Sequence, residues 1–139
     1  FSVEIWGLYE LSFFSSCSPL LSVQLLTKYT REMLRKSDFL QGVGKNRNMM
    51  HTLLLNGFMA CIEVDDFTNA LYFKKQIEKN FFEENETYFR IVYLWAEGLL
   101  DSKQGRVEEG QRKMEDAIRI FEMIGCSRSA DYYRSAMEC

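Results

Sequence analysis

Between Tyr88 and Gly125 apolar residues recur every three or four positions along two runs separated by Gln104-Gly105-Arg106. That period leaves little besides two antiparallel helices joined at a tight reversal. In the second run Val107, Gly110, Met114, Ala117, Ile118, Phe121 and Ile124 form one stripe, as in a helix with a single buried side. The intervening residues are charged or polar. Glu108 with Arg112, Glu109 with Lys113 and Glu115 with Arg119 set an acid four places before a base, an arrangement that stabilises a solvated face. The first run carries two stripes, Tyr88, Val92, Trp95, Leu99 and Phe89, Tyr93, Ala96, Leu100, with charge only at Arg90, Glu97 and Asp101. A helix apolar on both sides needs two packing partners.

Small residues say how closely the two helices meet. Gly98 opposite Gly110 and Ala117 lets two backbones approach, and Gly105 suits the reversal. These positions resemble the small-residue offsets of tetratricopeptide repeats. A second copy of the signal occurs upstream, where Asp65-Asp66-Phe67-Thr68-Asn69-Ala70 aligns with Gly105-Arg106-Val107-Glu108-Glu109-Gly110: turn, apolar residue, two polar residues, small residue. The two copies lie forty residues apart, more than the repeat length of about 34, which implies longer helices or a longer link.

One proline and little strand-like alternation in 139 residues, 47% of them hydrophobic, predict an all-α domain with a single core. The expected architecture is antiparallel helix pairs stacked as a tetratricopeptide-like right-handed superhelix. Taken in order, residues 1–16 carry Ile5, Leu8, Tyr9 and Phe13 at helical spacing. Ser18-Pro19 starts a second helix reaching about Asp38. Residues 39–46, with Gly42 and Gly44, read as a loop, and a nearly all-apolar helix spans about Lys45 to Val64. The next helix holds Ala70, Phe73, Ile77 and Phe81, residues 82–86 form an acidic link, and a short helix over 129–138 caps the array through Ala130, Tyr133 and Met137.

The chemistry is sparse. The net charge is −3 and the seventeen bases are interleaved with acids, which is not the footprint of a nucleic-acid groove. Cys17, Cys61, Cys126 and Cys139 show no CxxC spacing and no neighbouring histidine, so neither a metal site nor a disulfide framework is expected. Isolated thiols point to a reducing, cytoplasmic setting. The chain opens at Phe1 without a basic region and apolar run, so a segment of a longer protein without signal peptide is expected. The apolar stretch from His51 to Ile62 is too short for a membrane span. The lone His51 has no nucleophile motif, P-loop, HExxH or second histidine beside it, so no catalytic residue, cofactor or enzyme activity is expected.

Binding is the better-supported chemistry. Stacked helix pairs make a concave surface suited to extended peptides. Arg47, Asn48, Thr52 and Asn56 share or border one side of their helix, and Tyr88, Arg90 and Trp95 are the corresponding candidates on the helix from Tyr88. Asparagine both donates to and accepts from a peptide backbone, and arginine takes a carboxylate bidentately.

The segments from Tyr88 to Leu100, Gly105 to Gly110, Met114 to Phe121 and Ile124-Gly125 resemble the C-terminal part of Rgg/GadR/MutR transcriptional regulators, as do Trp6-Gly7-Leu8-Tyr9-Glu10-Leu11 and Leu53-Leu54-Leu55-Asn56. The resemblance implies a cytoplasmic bacterial regulator whose N-terminal helix-turn-helix domain is absent from this chain, leaving residues 1–139 as the regulatory domain. It also implies a homodimer and a short hydrophobic pheromone peptide, with Arg47, Asn48, Asn56, Tyr88, Arg90 and Trp95 as contacts. Tyr132, Tyr133 and Met137 are one candidate dimer contact. The alternative is a helical-repeat scaffold that docks a folded protein and takes no peptide; what is encoded upstream of Phe1 distinguishes the two.

Overall fold

The computed structural model of the chain describes Lys28 and residues 44–137. Apart from Lys28, the expected helices over residues 1–16 and 18–38 lie outside the described residues, as do the start of the 39–46 loop and Glu138 at the chain end. The described residues form five helices and no strand: α1 (Gly44–Glu63), α2 (Phe67–Lys79), α3 (Thr87–Lys103), α4 (Val107–Met123) and α5 (Ser127–Met137). Residues 44–46, expected in the loop, already belong to α1. The chain divides into two compact units, Phe1–Asn80 and Phe81–Cys139.

In the first unit α1 packs on α2. Leu53, Leu54, Phe58 and Ile62 of α1 and Ala70, Phe73 and Ile77 of α2 are fully buried, each large side chain stabilising the fold by about 1.5–3 kcal/mol. Gly57 makes room for an aromatic ring, since a Cβ there would lie 2.5 Å from Phe73 Cζ. Asp66 caps α2, accepting from the Asn69 backbone N–H at 3.2 Å and its Nδ2 at 2.7 Å. The helix ends at Lys79, two residues before Phe81. Phe81 therefore lies in the link instead of on the helix, beyond the C-cap Asn80, whose Nδ2 also donates to the Gln76 carbonyl at 3.1 Å.

Three helix-to-helix turns share one geometry. Asp65, Gly105 and Gly125 have φ of 59°, 97° and 83°. Their N–H groups bond the carbonyls of Ile62, Ser102 and Glu122 at 3.1, 3.2 and 3.2 Å, and the next N–H groups, of Asp66, Arg106 and Cys126, reach Cys61, Asp101 and Phe121 at 2.9, 2.9 and 2.8 Å. That pairing closes the end of a helix around a left-handed residue. Asp66, Arg106 and Cys126 then open the next helix, their carbonyls accepting from the N–H groups of Ala70, Gly110 and Ala130 at 2.9, 2.9 and 3.0 Å. One six-residue signal thus ends one helix and starts another.

In the second unit α3 packs along α4, and α4 also packs on α5. Gly98 and Gly110 form the closest approach: a Cβ on Gly98 would sit 2.5 Å from the Gly110 carbonyl oxygen, and one on Gly110 would strike Gly98 O and Ser102 Oγ. Of the predicted α4 stripe, Gly110, Met114, Ala117, Ile118 and Phe121 are buried. Val107 and Ile124 are exposed. They are the first residue and the C-cap of α4, where the chain turns away from its partner helices.

Asp101 departs further from expectation, being 8% exposed. Lys113 Nζ reaches its Oδ2 at 2.7 Å and Arg106 its Oδ1 at 2.8 Å, so Lys113 turns to α3 instead of pairing with Glu109. Burial pushes the Asp101 carboxyl up, but the hydrogen bonds and charges of Lys113 and Arg106 outweigh it and hold the group below the usual carboxylate range.

Candidate functional site

On α1 the polar residues Arg47, Asn48, Thr52 and Asn56 form a seam that is not fully buried. Asn48 is exposed, and Arg47, Thr52 and Asn56 are half-buried, while Met50, Leu53, Leu54, Leu55 and Phe58 are buried. Steps of four place Asn48, Thr52 and Asn56 on one side of the helix. The Thr52 hydroxyl donates to the Asn48 carbonyl at 2.8 Å. This ties down the hydroxyl of the middle residue. His51 is fully buried, and the Arg47 guanidinium lies 3.2 Å from its Nε2. Arginine can only donate, so Nε2 is the acceptor and the imidazole proton is on Nδ1.

The three candidates on α3 have different surroundings. Arg90 is held by its own unit: Nε donates to the Glu83 carbonyl at 2.9 Å, Nη2 to the Phe82 carbonyl at 2.5 Å, and the guanidinium lies 5.0 Å over the Phe81 ring. The Glu83 N–H in turn bonds Glu86 Oε1 at 2.8 Å. Arg90 therefore fastens the link before α3, a role that its position on the helix surface does not announce.

Tyr88 and Trp95 are brought together by a residue outside the expected site. Tyr133 of α5 lies with its ring 5.0 Å from Trp95 and stacked at 10° on Phe121, 5.8 Å away. Tyr88 has its ring 5.7 Å from the same Phe121. Burial, then the neighbouring Tyr88 and Tyr132, push the Tyr133 hydroxyl well above its ordinary range. Tyr133 is thus core and unavailable to a dimer contact, whereas Tyr132 beside it is 68% exposed. Trp95 is 3% exposed and Tyr88 49%. The signal for Tyr133 was present: Gly125 and Ala130 repeat the five-residue offset of Gly105 and Gly110, which sets Tyr133 one turn beyond a small, buried position.

A groove of about 460 Å³ runs between α4 and α5, lined by Gln111, Glu115, Ile118, Arg119, Glu122, Arg134 and Met137. Within it Arg134 bridges Glu122 at 3.0 Å and also reaches Asp131 at 3.1 Å, and Gln111 donates to Glu115 at 3.2 Å. Among the described residues no three His, Cys, Asp or Glu side chains cluster as metal ligands, and no helix is long and apolar enough to cross a membrane.

The family model described as HTH-type transcriptional regulator Rgg, C-terminal domain, matches residues 1–135. Two solved structures of the Streptococcus dysgalactiae SHP pheromone receptor Rgg2 are similar to the chain. A cysteine-substituted form has a TM-score of 0.86 at 27% identity, covering 99% of this chain and 50% of that one. The other has a TM-score of 0.83 at 26% identity, covering 99% and 52%. A Listeria monocytogenes EGD-e protein provisionally described as a transcriptional regulator has the same fold, with a TM-score of 0.85 at 20% identity, covering 99% of this chain and 48% of that one. The chain spans about half the length of these proteins.

Proposed function

The chain belongs to the Rgg family of transcriptional regulators, matching its C-terminal domain along residues 1–135, and from that membership we propose that it is the ligand-sensing and dimerisation part of such a regulator, binding a short hydrophobic peptide in the cytoplasm. The family is one of transcription-regulator domains and not of enzymes. The observation that carries the peptide reading is the 27% identity, over 99% of this chain, to a pheromone receptor.

The chemistry of the α1 seam supports it. Asn48 and Asn56 carry an amide each on one side of a helix that is otherwise nearly all apolar. Such amides bind a peptide backbone whatever its side chains. Arg47 at the head of the seam supplies a cation for a peptide carboxylate. In the second unit Tyr88 offers a half-exposed aromatic surface, and Arg90 and Trp95 shape the region around it.

In the proposed mechanism two copies associate in part through α5, where Tyr132 is exposed, and the DNA-binding heads occupy the remaining half of the protein. A bound peptide acts by preferring one dimer arrangement over another, which changes the spacing of the two heads. Light scattering tests the dimer: a mass of two chains at tens of micromolar is expected, and a strict monomer overturns that part. Calorimetric titration with short hydrophobic peptides encoded beside the gene tests the ligand.

A further inference from the structure

Of the six asparagines in the chain only Asn56 precedes a glycine. Packing fixes that glycine, since a Cβ on Gly57 would lie 2.5 Å from Cζ of the Phe73 ring and 2.6 Å from its Cε1. The fold therefore keeps after Asn56 the residue that shields its own main-chain nitrogen least. In such a pair that nitrogen can close on the asparagine side chain without an enzyme. The helix holds the reaction back in two ways. Both residues lie inside α1 (Gly44–Glu63), where the Gly57 N–H is engaged by the carbonyl four residues before it. Ring closure also turns the Asn56 main chain out of the helical range. Yet asparagine and glycine are both poor helix formers, the first because its side chain competes for the backbone, the second because of its freedom. They weaken α1 at this point, and proteins open locally where structure is weak. Asn56 is only half-buried, so water reaches an opened turn.

We propose that Asn56-Gly57 is a self-modification site, converted to aspartate and isoaspartate when α1 opens there, and that the isoaspartyl form cannot rebuild the contact of α1 with α2. The Gly57 nitrogen attacks Cγ of Asn56, and the new N–Cγ bond replaces the Cγ–Nδ2 bond. The side-chain nitrogen leaves as ammonia, taking the Gly57 N–H proton, and a five-membered succinimide remains. Water then opens the ring. Attack at Cγ gives aspartate; attack at the main-chain carbonyl gives isoaspartate, whose main chain runs through Cβ and Cγ and is one carbon longer. Either product replaces an amide that donates and accepts with a carboxylate that only accepts, in the middle of the α1 seam. The longer main chain does more. It interrupts the helix ladder beside the Phe73 ring, so Phe58 and Ile62, fully buried beyond it, lose their register against α2. The change is irreversible in the isolated protein and ages it from a point that packing on Phe73 prevents from mutating away.

The test holds the chain in warm, mildly alkaline buffer, folded and in concentrated urea, and follows its tryptic fragment 48–74 by mass spectrometry with fragment sequencing. The mass gain of amide to acid is expected at Asn56, ahead of Asn48 and Asn69 in the same fragment. It is expected on the order of tenfold or more slower in the fold than in urea. Equal rates would overturn the control by α1. No conversion in the folded chain while the unfolded chain converts completely would show that α1 does not open there, and conversion first at another asparagine would overturn the site. Converted chains, separated by their added negative charge, are then compared with Asn56→Asp, which carries that charge without the added carbon. A melting temperature about 5 °C or more below that of Asn56→Asp is expected; equal melting temperatures would overturn the loss of the α1–α2 contact. Should Asn56→Asp not fold, hydrogen exchange at the Phe58 and Ile62 amides of the converted chains decides, with protection equal to the parent's counting against the proposal.

Discussion

A Cβ atom built on Gly98 lies 2.5 Å from the carbonyl oxygen of Gly110, across the contact between α3 and α4. Real Cβ atoms do not come that close to backbone oxygen, so the two helices are held at a separation that only glycine permits. Gly98→Ala and Gly110→Ala are each expected to destabilise the fold by about 2–3 kcal/mol, the cost of prising apart a packed pair. The double variant should cost less than the sum, because one separation of the helices relieves both clashes. Urea denaturation midpoints measure this, and additive losses would mean that the two glycines act independently.

The three left-handed turn positions give a test of opposite sign. Gly105 and Gly125 have open space around them, so alanine at either position is opposed only by the backbone and should cost about 1–2 kcal/mol. Asp65 occupies the equivalent conformation, with φ 59°. Asp65→Gly is therefore expected to raise stability by about 0.5–1 kcal/mol. Thermal melts of the three variants should bracket the parent protein.

Asp101 makes stability depend on acid. Its carboxyl is held below the usual carboxylate range, so it contributes stability that is complete above about pH 4 and is lost as pH falls through the lower folded value. Asp101→Asn should cost about 1–2 kcal/mol near neutral pH, a modest figure because Arg106 and Lys113 are partly exposed. The parent should lose stability more steeply than the variant on acidification, and parallel pH profiles would show that the pair of cations does not depress the group.

Removing the Arg90 side chain frees the carbonyls of Phe82 and Glu83. The N–H groups of Glu86 and Arg90, which bond Glu83 and Glu86 carbonyls at 3.0 and 3.2 Å, should then exchange with solvent about tenfold faster in Arg90→Ala. Arg90→Lys should recover little, since an ammonium cannot reproduce the planar fork. Hydrogen exchange at these two amides reads the effect.

Periodicity and small residues made the helices and their turns legible, because each is a local decision: Gly105 ends α3 and Gly110 admits α4 within six residues. The third turn, at Gly125 and Ala130, carried the same offset but followed an interval of twenty residues instead of forty. Asp101 was not legible. A carboxylate one position after an apolar stripe looks like solvent-facing charge until the fold brings Arg106 and Lys113 against it. Arg90 is similar, since its acceptors are backbone carbonyls of the link and carry no sequence signal. For the candidate site, the spacing of Asn48, Thr52 and Asn56 was enough to put them on one side of α1. Trp95 instead depends on Tyr133, thirty-eight positions later, and no local pattern joins them.

Calorimetric titration of the chain with short hydrophobic peptides encoded beside its gene, with Asn56→Ala run in parallel, is the most direct test of the peptide-sensing account. Saturable binding by one peptide, weakened about five- to tenfold in the variant by the loss of its backbone hydrogen bonds, is the predicted result. A folded domain that takes up none of them, or binds one with unchanged affinity in Asn56→Ala, would contradict it: the first outcome removes the peptide, the second the α1 seam.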